Sequence, residues 1–213
     1  MSDPAAAVLA TARAMNTVGI NRGAAGNVSA RTEDGFIITP TGMAYDECVP
    51  ADMVFMKVGA DSTARGRRQP SSEWRFHHDI YAARPAAGAI IHAHSPCATA
   101  LACQAIEIPP FHYMIARFGG DTVRCADYAT FGTQELSDAM LVALENRRAC
   151  LMAHHGMVVC GADLKQALAL AVELESLCEQ YWRVLQLGAP ELLPPDEMAR
   201  VIEKFKSYGK QSA

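Results

Sequence analysis

Ala89-Ile90-Ile91-His92-Ala93-His94, closed by Ser95-Pro96, is the stretch on which the fold turns. A short apolar run stopped by turn residues reads as a β-strand. Side chains on a strand alternate between faces, so His92 and His94, two apart, project to the same side. Working outward, Ala149 to Ala153 is a second such run, ending in His154-His155-Gly156, while Gly35-Phe-Ile-Ile-Thr-Pro and Met53-Val-Phe-Met-Lys-Val are two more. Gly23 to Asn27 reads as a glycine-punctuated stretch and Asp61 to Pro70 as loop. Helix signals alternate with these strands. Asp3-Pro4 opens an alanine-rich helix that can end at Gly19. Ser71-Ser72 precede a helix beginning at or next to Glu73 and stopping before Arg84-Pro85. Asp163 with Gln166 resembles a capping box opening a long helix with apolar Leu164, Leu168, Leu174, Leu177, Tyr181 and Leu185 near helical period. Strands alternating with helices predict one α/β domain over residues 1–213, with strand order left open.

Length and composition agree with a single unit. The chain has 213 residues, 50% of them apolar, against a prior of about 150 residues per domain. A domain of this size buries roughly 70% of its unfolded surface, so a metal would be functional rather than a structural staple. The formal net charge is −4, and scattered basic residues argue against a nucleic-acid footprint. The one basic cluster, Arg65 to Arg68, is flanked by Ser62, Gly66 and Pro70 and reads as a solvated loop. Cys48, Cys97, Cys103, Cys125, Cys150, Cys160 and Cys178 are odd in number and lack Cys-x-x-Cys spacing, which predicts reduced, mostly buried thiols rather than disulfides or a thiolate zinc site. No signal-like N-terminus and no run of ~20 apolar residues stand out. The expectation is a cytoplasmic protein with no membrane contact.

The His-x-His pair is a chelating pair in want of a third imidazole, and either His154 or His155 can supply it from the end of a neighbouring strand. Three neutral imidazoles at ~2.0–2.1 Å suit zinc and leave a coordination position open, as catalytic zinc sites do. His77-His78-Asp79 is read instead as structural or surface, because adjacent helical residues point about 100° apart. Hydroxyl and amide donors gather in three short turns, Gly26-Asn27-Val28-Ser29, Thr39-Pro40-Thr41-Gly42 and Ser71-Ser72. The last adjoins a helix N-terminus, a natural phosphate seat. Glu73 follows directly, and a carboxylate beside a metal-bound carbonyl can shuttle a proton, a role worth ~10²–10⁴ in rate. Singly, each of these residues is also an ordinary turn or capping residue.

The ordered set Gly26-Asn27-Val28-Ser29, Ile38-Thr39-Pro40-Thr41-Gly42, Pro70-Ser71-Ser72-Glu73-Trp74-Arg75-Phe76-His77, His92-x-His94, His112-Tyr113-Met114-Ile115, Tyr128-Ala129-Thr130-Phe131-Gly132-Thr133, His154-His155-Gly156 and Glu203-Lys204-Phe205-Lys206-x-Tyr208-Gly209 resembles the class II aldolase/adducin family. Within it the L-fuculose-phosphate aldolases are most similar. The resemblance runs nearly end to end and implies a three-layer α/β/α fold whose central mixed, largely antiparallel sheet is flanked by helices. It implies that His92, His94 and His155 bind one Zn²⁺ per subunit, or another divalent transition metal, and that Asn27, Thr41, Gly42, Ser71 and Ser72 hold a phosphate. Glu73 is implied as acid/base, Tyr113 as proton donor at the aldehyde oxygen, and Tyr208 as an active-site helper. The resemblance further implies a homotetramer with active sites at subunit interfaces.

The activity implied is cleavage of a ketose 1-phosphate, L-fuculose 1-phosphate or a 5-deoxy- or 5-methylthio-ribulose 1-phosphate, to dihydroxyacetone phosphate and an aldehyde through a metal-stabilised enediolate. Alternatives on the same scaffold are sugar-phosphate epimerase, dehydratase or decarboxylase, and a non-catalytic adducin-like module. A zinc hydrolase is a further alternative, but it needs no phosphate cradle. Schiff-base chemistry requires a desolvated lysine, whereas Lys57, Lys165, Lys204, Lys206 and Lys210 lie at element ends or in polar stretches.

Overall fold

Residues 3–206 are described in a computed structural model. Tyr208 and Lys210 lie outside the described residues. Eight strands form one sheet among them: β1 (Asn27–Arg31), β2 (Gly35–Ile38), β3 (Val54–Lys57), β4 (Ala64–Arg65), β5 (Ala89–Ala93), β6 (Cys125–Ala126), β7 (Ala149–Met152) and β8 (Gly156–Gly161). Their order is β4-β3-β2-β1-β5-β8-β7-β6. All neighbours are antiparallel except β6 and β7. The helices are α1 (Pro4–Thr17), α2 (Trp74–Ala83), α3 (Pro96–Cys103), α4 (Gln134–Ala143), α5 (Leu164–Leu187) and α6 (Pro195–Phe205).

The two-residue period of the strands sorts their side chains into two apolar layers. Val28, Ala30, Ile91, Ala93, Leu151 and Val159 face Val8 and Ala12 of α1, Leu101 of α3, Leu174 of α5 and Met198 of α6. Phe36, Ile38, Ile90, Cys150 and Val158 face Phe76 and Ile80 of α2 and Leu136 and Met140 of α4. The result is the three-layer α/β/α arrangement with a mixed, largely antiparallel sheet.

Local signals explain the helix ends. Asp3 accepts from Ala5 N at 2.9 Å, and the chain leaves α1 through Gly19 at φ 82°. Asp163 accepts from Gln166 N at 2.7 Å while the Gln166 side chain accepts from Ala162 N at 2.8 Å, a reciprocal cap on α5. At α2 the N-cap position is Glu73 itself, but Ser71 makes the capping bonds: its hydroxyl accepts from Glu73 N at 3.3 Å and its carbonyl from Trp74 N at 3.0 Å. Arg31 closes the other end of α2, donating to the carbonyls of Tyr81, Arg84 and Ala87.

Three departures from the sequence reading matter. Gly26 to Ser29 is not a turn; Asn27 opens a central strand, β1. Gly156–Gly161 is a fully buried strand, β8. The 61–70 loop carries the edge strand β4, and Arg67 and Arg68 are not simply solvated. Each lies 2.8 Å from Asp52 Oδ1, a carboxylate only 2% exposed that needs cationic partners. The seven cysteines form no disulfide; Cys48, Cys150, Cys160 and Cys178 are buried. No helix among the described residues is long and apolar enough to cross a membrane.

Candidate metal centre and active site

The site forms where β1, β5 and the β7–β8 hairpin end beside the start of α2. Asn27 of β1 pairs with His92 of β5, which pairs in turn with Val158 of β8. The strand alternation puts His92 on the α2 face with Ile90, and His94, two residues on, follows it. The hairpin supplies the third imidazole through a backbone irregularity. His154 has φ 56°, left-handed for a non-glycine residue, a conformation that costs about 1–2 kcal/mol and is sustained by surrounding structure. Its amide is tied to Ala102 O at 3.0 Å, and the next amide, His155 N, to Met152 O at 3.0 Å. The kink separates the two rings: His154 lies edge-on to Tyr128, while His155 joins His92 and His94 with centroids 4.9 Å from each.

One ligand atom from each of Glu73, His92, His94 and His155 lies within 4.8 Å of every other. His92 Nε2 is 2.9 Å from His94 Nε2 and 3.0 Å from Glu73 Oε2, and His155 Nε2 is 3.0 Å from Glu73 Oε1. His92 Nδ1 donates to the Met157 carbonyl at 2.9 Å, which turns Nε2 into the cluster as the nitrogen that would ligate a metal. Glu73 Oε1 is buried yet accepts no well-directed hydrogen bond, His155 notwithstanding. Converging imidazole lone pairs beside an orphaned buried carboxylate oxygen suit a divalent cation: the donor set is that of a borderline transition ion.

Electrostatics agree. Burial works against the charged form of Glu73, but the His92 and His155 imidazoles outweigh it and hold the carboxyl well below the usual range. Burial also opposes charge on His92, and Glu73 overrides it and raises the imidazole pKa. His94 is pushed down to about 4 by burial and by the neighbouring His92 and His155. A cation bound there would displace the proton that Glu73 favours on His92, because imidazole ligates only when neutral.

The turns expected from sequence to seat a phosphate adjoin one another, though of their residues only Ser72 lines the cleft beside the cluster. Thr41 N donates to Gln69 O at 3.1 Å and Ser71 N to Thr39 O at 3.0 Å, lacing the Thr41-Gly42 turn to Ser71-Ser72. Val28 N donates to the Thr39 hydroxyl at 3.2 Å, joining both turns to β1. Ser72, Glu73, His94, Phe131 and His155 line a common cleft of about 320 Å³. The Asn27 side chain is 3% exposed and already engaged: Nδ2 donates to Glu73 Oε2 at 3.0 Å and Oδ1 faces His77 Nε2 at 2.5 Å. One amide proton remains for a further acceptor. Tyr113 does not line this cleft. It is 50% exposed at the start of the 3₁₀ segment Tyr113–Phe118 and stacks on Phe205 of α6.

Sequence reasoning missed His77 as part of the site. It is fully buried, held neutral with its pKa pushed down to about 3 by burial and by His92. The available signal was spacing: His77 lies four residues beyond Glu73, the interval that puts two helical residues on one face.

The family profile described as Class II Aldolase and Adducin N-terminal domain matches residues 6–182. The chain belongs to the class II aldolase/adducin family. Relatives in that family include a 5-methylthioribulose-1-phosphate/5-deoxyribulose-1-phosphate aldolase of Rhodospirillum rubrum, 56% identical over 198 residues covering 93% of this chain and 89% of that protein. An L-fuculose phosphate aldolase of Escherichia coli is 44% identical over 203 residues, covering 95% and 94%. Among solved structures, an L-fuculose 1-phosphate aldolase superposes with a TM-score of 0.92 at 36% identity, covering 97% of each chain. The class II aldolase fold is therefore shared almost from end to end.

Proposed function

We propose that this protein is a metal-dependent class II aldolase that cleaves a ketose 1-phosphate to dihydroxyacetone phosphate and an aldehyde, with a 5-deoxy- or 5-methylthio-ribulose 1-phosphate as first candidate and L-fuculose 1-phosphate as second. The observation that carries this reading is the convergence of Glu73, His92, His94 and His155 on one point, beside turns laced together by main-chain hydrogen bonds. His92, His94 and His155 would hold zinc. Bound there, the ion supplies Lewis-acid polarisation of the substrate ketone and offsets the negative charge that develops on its oxygens.

The chain's own groups do the rest. Thr41, Gly42, Ser71 and Ser72, with Asn27, seat the phosphate and so fix C3 and C4 of the sugar against the cluster. As the C3–C4 bond breaks, the C4 hydroxyl passes its proton to Tyr113, present as the phenolate, and its oxygen becomes the aldehyde carbonyl. The electron pair left at C3 takes a proton that Glu73 has first drawn from solvent, leaving Glu73 as the carboxylate, and in the synthetic direction Glu73 removes it again. Exposed Tyr113, stacked outside the cleft, suits a partner's site. We read the 1–213 chain as one protomer of a cytoplasmic homotetramer in which Tyr113 and Tyr208 attend the aldehyde oxygen of a neighbouring subunit.

A panel of ketose 1-phosphates, scored for dihydroxyacetone phosphate release, tests this. Release should vanish with a chelator, return with zinc, and be indifferent to borohydride added with substrate. Inactivation by borohydride and indifference to chelation would overturn it.

A further inference from the structure

Behind Glu73 runs a line of buried polar side chains, of which the functional reading uses only Asn27. Tyr81 Oη lies 2.9 Å from Ser29 Oγ, Ser29 Oγ 2.7 Å from His77 Nδ1, His77 Nε2 2.5 Å from Asn27 Oδ1, and Asn27 Nδ2 3.0 Å from Glu73 Oε2. Ser29 and His77 are wholly buried, and Tyr81, Asn27 and Glu73 are exposed by 5% or less. Strand and helix periodicity place them. Asn27 and Ser29 alternate onto the α2 face of β1, while Glu73, His77 and Tyr81 recur every four residues along α2.

The chemistry of the line allows a single sense of donation. A carboxylate only accepts, so the Asn27 amide must turn its NH₂ to Glu73 and its carbonyl oxygen to His77. His77 must then carry its proton on Nε2, which makes Nδ1 the acceptor of a neutral ring. The Ser29 hydroxyl must donate to Nδ1, and its oxygen is left to accept from the Tyr81 hydroxyl. Reversing any member sets two donors or two lone pairs face to face in a dry interior, at about 1–3 kcal/mol for each group left unsatisfied. The fixed end of the line is Glu73 Oε2; the other oxygen, Oε1, has no such partner.

We propose that His77 is a positioning residue for proton transfer: fixed as its Nε2–H tautomer by Tyr81 and Ser29, it locks the Asn27 amide onto Glu73 Oε2 and leaves Oε1 as the oxygen that carries the proton. This rests on the role proposed above for Glu73, but the tautomer can be read without substrate.

The experiment uses the metal-loaded full chain with ¹⁵N-labelled histidine. The His77 ring signals, identified by their disappearance in His77→Gln, should show the Nε2–H form; an Nδ1–H ring overturns the proposal whatever the enzyme's substrate proves to be. Kinetics then separate positioning from packing. His77→Met, similar in size but without a donor, should lower kcat about 10-fold or more while KM changes less than about 2-fold, and His77→Gln, whose amide can donate where Nε2–H did, should recover to within about 3-fold of the parent. Equal losses in Met and Gln, or a loss confined to KM, overturn it. Should His77→Met fail to fold, Ser29→Ala removes one hydroxyl only. It should populate the second tautomer and reduce kcat, and an unchanged ring and rate would overturn the proposal.

Discussion

Replacing Glu73 with glutamine separates the chemistry of the site from its architecture. The Asn27 amide donates to Oε2 at 3.0 Å, so the introduced glutamine must present its carbonyl oxygen there to accept that bond. Its NH₂ then occupies the Oε1 position, 3.0 Å from His155 Nε2 in the parent. The shape and the bond to Asn27 survive, but the free oxygen able to carry a proton becomes an amide nitrogen without basicity. Losing general acid–base assistance outright costs ~10²–10⁴ in rate, about 3 to 5 kcal/mol of barrier at roughly 1.36 kcal/mol per decade. Stability should change by less than about 1 kcal/mol, because the introduced NH₂ replaces an oxygen that itself accepts no well-directed hydrogen bond. The assay is dihydroxyacetone phosphate release by metal-loaded Glu73→Gln, with metal content and Tm measured on the same sample. A kcat within about threefold of the parent with metal retained would refute the proton role, and a loss traced to missing metal or a collapsed Tm would refute the separation of chemistry from architecture.

Other perturbations have equally definite outcomes. His94→Ala, at an exposed position beyond the end of β5, should abolish stoichiometric metal binding while leaving the far-ultraviolet circular dichroism unchanged. Gly26→Ala should destabilise by about 1–3 kcal/mol in a denaturant titration, since a Cβ there would lie 2.5 Å from the His92 carbonyl oxygen and would push β1 off β5. His77 has a folded-state pKa of about 3, below its ordinary 6.5, so in acid the unfolded chain binds the proton first. Its stabilising effect is complete above about pH 6.5 and is lost as pH falls towards about 3, at up to ~1.4 kcal/mol per unit. His77→Gln should therefore flatten the dependence of stability on pH over that window, and an unaltered slope would show that His77 is not the group responsible.

What the sequence revealed follows which physical signals are local. The β5 run, the caps of α1 and α5 and the apolar period of α5 are patterns of neighbouring residues, and they appear in the structure within a residue or two. β1 escaped because its face towards α2 is polar: Asn27 and Ser29 occupy places where a core strand would carry Val or Ile, and they hydrogen-bond Glu73 and His77 there. Local pattern and fold disagree at a strand that lines the site, where such conflicts are expected. β8, bounded by Gly156 and Gly161, merged in the sequence with the turn before it. Which of His154 and His155 joins the cluster depends on one left-handed φ at His154, which spacing does not encode. The pairing of Arg67 and Arg68 with Asp52 joins residues fifteen and sixteen positions apart and was likewise invisible to local pattern.

The most direct measurement is anomalous diffraction at the zinc absorption edge from crystals of the zinc-loaded protein. The expected result is one strong peak at ~2.0–2.1 Å from a ring nitrogen of each of His92, His94 and His155, in a sample that cleaves a ketose 1-phosphate. An active sample whose only zinc peak lies elsewhere, or that shows none, would contradict the metal centre on which the proposed chemistry stands.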